Sequence, residues 1–310
     1  MSVPILKYGK DDMSRVFGRT QLDNSEYIST VNSIIEDVRT RKDEALFEYA
    51  LKFDRQQIDK ESILVSEREI SDAYSKVDKS LIESIRRAKE SILNYHSRQK
   101  DKFSNEFFKS GANGKSTLGW IYRPLARVGL YVPGGKASYP STVLMTALPA
   151  IAAGVGEVIV ATPNINNPAI LVACNECEIK KIYKIGGAQA VAAMAYGTQS
   201  VPRVDLIAGP GNVFVTLAKK QVFGHVAIDM IAGPSEILVI ADESADAKLL
   251  ASDLLSQAEH DEQAASILVT TSEKLALKVR SELDRQTALL ERKDIIAKSL
   301  ETNGAIIIAK

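Results

Sequence analysis

The sequence predicts an α/β protein with Rossmann-like layers of parallel strands and crossover helices, preceded by an N-terminal helical portion. Two observations carry this prediction. After residue 116, short apolar segments alternate with helical segments, a pattern typical of parallel strands buried on both faces. The first hundred or so residues show only the helical spacing of three and four. A chain of 310 residues is also long enough for about two domains.

The N-terminal helices are predicted in order from their apolar spacing. The segments EYISTVNSIIEDVRT and DEALFEYALKF each place apolar residues three and four apart. Ser66 followed by Glu69 is a capping-box pattern, which predicts the start of a third helix. A fourth helix is predicted to begin near Asp78.

A change of pattern follows the Gly/Asn/Ser-rich stretch KSGANGKS. We expect TLGWIYRPL and ARVGLYV to form a hairpin-like pair, which leads into the loop PGGKASYPS. The strands predicted after it are EVIVATP, IKKIYKI, VDLIAG, HVAIDMI, EILVIAD, SILVTT and AIIIAK.

Composition and charge exclude several classes of protein. Lys+Arg and Asp+Glu both number 39, and no long block of one sign suggests nucleic acid or an anionic membrane as a partner. The N-terminus lacks the apolar core of a signal peptide, and no apolar run reaches the roughly 18 residues that span a bilayer. We therefore expect a cytoplasmic protein. Cys174 and Cys177 form a lone CxxC, which could be a redox pair or half a zinc site, but burial as packing residues is favoured.

Three glycine-bearing turns fall where strands end: LYVPGGKASYPS, KIGGAQA and IAGPGNVFV. Glycine allows close approach of the backbone to a ligand, and the following helix presents free N–H groups. None matches a known nucleotide-binding pattern, so each one alone is more often a plain turn. Together they predict a binding crevice at the carboxyl edge of the sheet.

The helix AKLLASDLLSQAEHDEQA raises a different possibility. Gln257 and His260 lie on one face of it and could offer a metal one amide oxygen and one imidazole nitrogen. Zinc normally takes more protein ligands than two, so a polar helix end is the favoured interpretation from these residues alone. His96 is expected to be a solvated or helix-terminal histidine, and His225 is expected to serve in packing or in a turn.

The chain resembles the histidinol dehydrogenases. The resemblance rests on KDEALFEYALKFD, RPLARVGLYVPGGKASYPSTVLMTALPA, KIGGAQAVAAMAYGT, IAGPGNVFV, IAGPSEILVIAD and DLLSQAEHDEQA, in family order. It implies two Rossmann-like, aldehyde-dehydrogenase-like domains. The expected boundaries are an N-terminal helical arm over 1–24, a first α/β domain over 25–128 plus 236–310, and a second, NAD-binding domain over 129–235.

The resemblance also implies a chemistry, in which two NAD molecules oxidise L-histidinol through L-histidinal to L-histidine with zinc bound. It implies NAD contacts from Tyr131, Gln189 and Asn212. It further implies that Ser235 touches the substrate. Gln257 and His260 would be zinc ligands that face the substrate, and the protein would be a homodimer.

Two departures from the family pattern stand out. Lys42 occupies a position where the family usually has glycine, which bears on a turn. The family's catalytic Glu-His pair and two further zinc ligands lie beyond the segment that matches the end of this chain, so we expect no catalytic residue here and little turnover. The alternatives are a related zinc- and NAD-dependent dehydrogenase of another small alcohol, such as a sulfonated diol, or a non-catalytic binding protein of natural length.

Overall fold

The computed structural model describes residues 3–18, 25–110, 114–134, 139–163 and 165–309. The chain divides into two compact units. The terminal unit comprises Met1–Asp23 with Ala232–Lys310, and the central unit comprises Asn24–Ile231. Each unit contains its own parallel sheet, which confirms the predicted α/β class with Rossmann-like parallel layers.

The secondary structure alternates as expected beyond residue 120. The helices are α1 (Ser14–Phe17), α2 (Ser25–Arg41), α3 (Asp43–Asp54), α4 (Glu67–Lys76), α5 (Lys79–Lys100), α6 (Pro140–Ala153), α7 (Pro168–Glu176), α8 (Gly187–Tyr196), α9 (Val213–Val222), α10 (Ala247–Ala258), α11 (Glu273–Thr287) and α12 (Lys293–Asn303). The strands are β1 (Ile5–Lys7), β2 (Glu106–Ser110), β3 (Ser116–Trp120), β4 (Arg127–Tyr131), β5 (Glu157–Ala161), β6 (Lys181–Tyr183), β7 (Leu206–Ala208), β8 (Ala227–Ile228), β9 (Glu236–Ala241), β10 (Ala265–Thr270) and β11 (Ala305–Ile308).

The central unit has a five-stranded sheet in the order β6-β5-β4-β7-β8, with every neighbouring pair parallel. Chain order runs outward in one direction from β4 through β5 to β6, and then in the other direction from β7 to β8. The order therefore reverses between β4 and β7. In open α/β sheets, ligands bind in the crevice at the carboxyl ends of the strands at such a reversal.

Helices cover both faces of the central sheet. Helices α2, α3, α8 and α9 enclose one apolar core with the sheet, which contains Val31, Leu46, Ile159 and Val215. Helices α4, α5, α6 and α7 enclose a second core on the opposite face. The three layers explain why the strands of this sheet are apolar almost throughout, since both faces exclude water.

The terminal unit has a four-stranded parallel sheet in the order β1-β11-β10-β9. Helices α10, α11 and α12 pack on one face of this sheet around Leu254, Leu268 and Ile306. A smaller cluster on the other face includes Val16 and Ile307. In neither unit does a helix of the described residues have the length and apolarity needed to cross a membrane.

The predicted hairpin pairing is wrong. The antiparallel hairpin is formed by β2 and β3, with Glu106 opposite Trp120, and not by TLGWIYRPL with ARVGLYV. The second of those segments supplies β4, which lies between β5 and β7 in the central sheet. Both segments have the same apolar alternation, so only burial at the centre of a sheet distinguishes them.

The N-terminal arm also differs from its prediction. Ile5–Lys7 forms a strand that pairs in parallel with Ile306–Ile308, and the one described helix before residue 19 is four residues long. The compact units place helices α2–α5 with the five-stranded sheet of the central unit, whereas 25–128 was expected to join 236–310. The physical reason is that α2 and α3 bury their apolar faces against α8 and α9, and α4 and α5 against α6 and α7.

The predicted helix starts are confirmed, with one strained position. Ser66 and Glu69 form the complete capping box at the start of α4. Lys42 precedes α3 with φ 57° and ψ −125°, a conformation that glycine adopts freely and side chains with a Cβ disfavour. The Lys42 Nζ donates a hydrogen bond to the Gly197 carbonyl at 3.0 Å, which ties this turn to the end of α8.

Candidate functional site

The first candidate site lies at the carboxyl edge of the central sheet, where the strand order reverses. Tyr131 is the last residue of β4, Gln189 is in the first turn of α8, and Asn212 is the N-cap of α9. All three residues for which NAD contacts were expected therefore lie at one edge of one sheet. Tyr131 ends β4, and the other two follow β6 and β7.

Tyr131 connects the end of β4 to the start of α8. Its side chain is almost fully buried, and its hydroxyl oxygen accepts a hydrogen bond from the Gly187 backbone N–H at 3.1 Å. Burial raises the pKa of the Tyr131 hydroxyl to about 12. The phenol is therefore neutral at physiological pH and keeps one O–H that can be donated to a ligand.

Gln189 lies against the same glycine. A Cβ added to Gly187, whose φ is +62°, would lie 2.5 Å from the Gln189 Oε1, so this turn requires glycine. The Gln189 side chain is 1% exposed, and its Nε2 reaches the Asp54 Oδ2 at 3.5 Å. The structure thus brings Tyr131 and Gln189 together at the N-terminus of α8.

Asp54 is a residue of this site that the sequence reasoning missed. It is the last residue of α3, and the Gly186 N–H donates a hydrogen bond to its carboxylate. Burial raises the pKa of Asp54, and the Gly186 hydrogen bond offsets part of that rise. A carboxylate at a helix C-terminus is disfavoured by the helix dipole, and this mismatch in the sequence was the available signal.

Asn212 has a clear local role. Its Oδ1 accepts a hydrogen bond from the Val215 N–H at 3.2 Å and so caps α9. The turn before it approaches β4 closely, because a Cβ on Gly209 would lie 2.1 Å from the Tyr131 carbonyl oxygen. The amide nitrogen of Asn212 remains a donor that the cap does not use.

These residues fit a dinucleotide. Tyr131 and Asn212 each use one side-chain oxygen within the protein and retain a hydrogen-bond donor. The glycines at 187 and 209 let the turns pack closely against Gln189 and against the end of β4. Nucleotide-binding crevices typically contain a few fixed polar groups at the point where the strand order of a parallel sheet reverses.

The second set of predicted residues lies in the terminal unit. Gln257 is in the last turn of α10, and His260 follows the helix, with its N–H bonded to the Gln257 carbonyl at 3.2 Å. The Gln257 side-chain Nε2 is buried without a hydrogen-bond partner. Ser235 is exposed just before β9, and its carbonyl accepts from the Ala265 N–H at 3.2 Å.

These residues supply fewer ligands than a zinc ion needs. An unpartnered buried amide is unusual, since buried polar groups are normally bonded, and the amide of Gln257 can turn its oxygen toward a cation. Zinc takes about four ligands, of which three or more come from the protein. Across the described ranges, however, no three His, Cys, Asp or Glu side chains form a group that could hold a metal. Gln257 and His260 therefore do not make a zinc site by themselves.

The remaining predicted side chains have structural surroundings. Cys174 and Cys177 are buried free thiols, and burial raises the pKa of both, that of Cys177 to about 11. His225 stacks on Tyr196 with ring centroids 4.4 Å apart. His96 Nδ1 lies 2.6 Å from the Gln99 Oε1. The cysteines and His225 are in packed surroundings, as expected, and His96 lies near the C-terminus of α5, where a solvated or helix-terminal histidine was expected.

Comparison with known proteins gives a consistent result. A family model described as histidinol dehydrogenase matches residues 17–310. The histidinol dehydrogenase of Caldanaerobacter subterraneus subsp. tengcongensis is 51% identical over 298 residues, which cover 95% of this chain and 68% of that protein. The one from Heliobacterium mobile is 48% identical over 99% of this chain and 72% of that protein.

A solved structure agrees with the sequence comparisons. The crystal structure of histidinol dehydrogenase from Elizabethkingia anophelis superposes with a TM-score of 0.88 at 37% sequence identity. The match covers 98% of this chain and 71% of the chain in that crystal structure. The chain thus spans about seven tenths of the length of the relatives that it matches.

Proposed function

The chain belongs to the histidinol dehydrogenase family, and on this premise we propose that it serves in the NAD-dependent oxidation of L-histidinol, through L-histidinal, to L-histidine. The relatives reported above carry the name of that enzyme. The observation that best supports the proposal is the convergence of Tyr131 and Gln189 on Gly187 at the reversal point of the central sheet.

In this proposal the central unit binds NAD. When bound, NAD would supply the hydride acceptor for both oxidations: one molecule for the carbinol carbon of L-histidinol and, after water has added to L-histidinal, a second for the carbon of the hydrated aldehyde, with one proton released each time. Tyr131 would donate a hydrogen bond from its hydroxyl to the nucleotide, while its hydroxyl oxygen accepts one from the Gly187 N–H. Asn212 donates from its amide while its oxygen caps α9.

The residues expected to contact the substrate belong to the terminal unit. We assign substrate contact to Ser235, Gln257 and His260, and we propose the last two as zinc ligands. Two donors are fewer than zinc needs, so no step of the reaction is derived through the metal. We also assign no catalytic base to the described part of this chain, since His225 stacks on Tyr196 and His96 lies against Gln99.

NAD binding is the first test, by isothermal titration calorimetry on this chain of 310 residues. We expect saturable binding that weakens in both Asn212→Ala and Asn212→Asp. The Asp variant keeps the oxygen that caps α9, so its Tm should stay near the wild-type value, while its negative charge repels the phosphates of NAD. Absence of binding to the wild-type chain, or equal binding by all three proteins, would contradict the proposal.

Turnover is the second test, followed as NADH absorbance with L-histidinol and zinc present. We expect binding of NAD but a turnover at least about a hundredfold below that of a full-length relative, the loss typical when a general base is absent. Rapid turnover would show that a base has been overlooked in this chain. NADH production from another small alcohol, with none from histidinol, would contradict the assigned substrate.

Zinc is tested by thermal shift. We expect zinc to raise the Tm of this chain only slightly, because two ligands bind it weakly, and we expect His260→Ala to abolish that rise. Ser256→Ala is the matched control, since the Ser256 hydroxyl bonds to the Asp253 carbonyl on the exposed side of the same helix. A large rise that survives in His260→Ala would place zinc elsewhere in the protein.

A further inference from the structure

Helix α9 carries a buried lysine, Lys219, that neither the fold nor the proposed contacts with NAD explain. It is 3% exposed and lies four residues after Val215 and three before Val222, on the apolar face of the helix. Burial of an ammonium group is unfavourable unless the charge is paired and hydrogen-bonded. The partners of Lys219 should therefore indicate why it is there.

One partner of Lys219 lies in the glycine turn beside NAD's proposed position, and the other is bonded to that turn. Its Nζ donates a hydrogen bond to the Gly209 carbonyl at 3.0 Å and forms an ion pair with Asp229. Asp229, one residue after β8, accepts a hydrogen bond from the Gly209 N–H through its Oδ2 at 2.8 Å. Lys219 and Asp229 thus form hydrogen bonds with both the carbonyl and the N–H of Gly209.

That glycine lies directly against the end of β4 in a conformation that favours glycine. Gly209 has φ +116°, and a Cβ there would lie 2.1 Å from the Tyr131 carbonyl oxygen. Three residues later the same turn becomes the N-cap of α9 at Asn212. Because the lysine and the aspartate fix Gly209 against the end of β4, they also fix the start of α9 relative to Tyr131.

We propose that Lys219 and Asp229 are positioning residues for NAD binding, which hold the turn 209–212, and with it Asn212, at the end of β4. This inference rests on the proposed binding of NAD to the central unit. Lys219 does not need to touch the nucleotide, because its ammonium group is already engaged by Gly209 and Asp229.

The test compares three variants of the pair in this chain with a control. Lys219→Met removes both contacts of the ammonium group. Asp229→Ala removes the acceptor for the Gly209 N–H, whereas Asp229→Asn keeps an oxygen that can accept it. The control is Lys181→Met, which breaks an ion pair with Glu157 of 2.7 Å at the amino ends of β6 and β5, the opposite edge of the same sheet.

NAD affinity by calorimetry is the main measurement, with Tm measured in parallel. We expect Lys219→Met and Asp229→Ala to weaken NAD binding by about tenfold, the loss typical when partners that orient ligand-contacting groups are removed. Asp229→Asn should recover part of that affinity, and Lys181→Met should bind as the wild type does. A purely structural role would lower Tm and leave the affinity of the folded protein unchanged.

The outcomes separate the inference from the function on which it rests. If the wild-type chain does not bind NAD, the proposed function fails and the inference falls with it. If the wild type binds and the folded variants bind equally well, the inference alone is overturned. Should Lys219→Met fail to fold, the comparison of Asp229→Ala with Asp229→Asn decides, since equal affinities in those two proteins and the wild type would also overturn it.

Discussion

The hydroxyl oxygen of Tyr131 accepts a hydrogen bond from the backbone N–H of Gly187 at 3.1 Å, which joins the end of one strand to the start of a helix 56 residues later. An N–H at the first turn of a helix has no partner within the helix itself. Tyr131 supplies that partner, so its hydroxyl contributes both to stability and to the proposed NAD crevice.

Tyr131→Phe tests this contribution directly. We expect the free energy of unfolding to fall by about 1 kcal/mol, the typical net value of one hydrogen bond, and NAD affinity to fall with it. The pKa of this hydroxyl is raised to about 12, so the wild type should also lose stability relative to the Phe variant as pH rises from about 10, the unperturbed tyrosine pKa, through 12. Urea titrations of the wild type and the variant at pH 7 and at alkaline pH provide the measurement. If the two proteins were equally stable at both pH values, the role of the hydroxyl would be contradicted.

Asp54→Asn is expected to stabilise the protein at neutral pH. Burial raises the pKa of Asp54, so the folded state favours the protonated carboxyl. The stability that this protonated carboxyl contributes is present at low pH and is lost as the pH rises through the folded-state pKa. At pH 7 the charged group is unfavourable, while an asparagine keeps an oxygen for the Gly186 N–H. The gain in Tm should therefore shrink toward pH 4.

Asp242→Asn is the matched control for Asp54, with the opposite sign. Hydrogen bonds from Ser244 lower the pKa of Asp242, so its charged form favours the folded state above the unfolded pKa, and this variant should lose stability at pH 7. Thermal melts from pH 4 to 8 give both curves. A loss of stability in Asp54→Asn at pH 7 would show that the carboxylate's charge is needed there.

Lys42→Gly is expected to stabilise the protein by about 1 kcal/mol, since a residue with a Cβ in a glycine-type conformation costs about that much or more. Lys42 has φ 57° and ψ −125°. Lys42→Ala separates the two effects, because it keeps the strain and removes the hydrogen bond from the Nζ to the Gly197 carbonyl. It should destabilise the protein. Urea unfolding measures both variants, and a loss of stability in Lys42→Gly would show that the hydrogen bond outweighs the strain.

Cys174 and Cys177 are expected to be inert toward alkylation in the folded protein. Both are buried, and burial raises the pKa of both thiols, so little of the reactive thiolate forms at pH 8. Iodoacetamide labelling followed by mass spectrometry should find both thiols unmodified until urea unfolds the chain. Rapid labelling of either thiol without urea would indicate a reactive cysteine and reopen the redox interpretation of CxxC.

The sequence predicted the strands of the two sheets well because their burial is encoded locally. EVIVATP and SILVTT are apolar runs with few polar interruptions, and each forms a buried parallel strand. The hairpin was misassigned because β3 and β4 have similar alternation, and the difference between an exposed ribbon and the centre of a sheet depends on what packs around each segment.

The site was predictable in residue type and in place along the chain. Tyr131, Gln189 and Asn212 were taken from the family pattern, and all three lie at the sheet edge where the glycine turns predicted a crevice. Their contacts with NAD stay a prediction. Asp54 was missed because its neighbour Gln189 is 135 positions away. Lys219 was missed because a lysine in a short helix is usually exposed.

The sequence by itself determined the α/β class, the parallel pairing and the resemblance to a dehydrogenase family, and it predicted a ligand crevice at the carboxyl edge of the sheet. Only the tertiary structure decided that Asp54 meets the start of α8, that burial raises the pKa of Tyr131 to about 12, and that Lys219 bonds to Gly209. The reason is that periodicity records which face of a segment is buried, whereas a shifted pKa or a buried ion pair depends on groups far apart in the chain that lose water together.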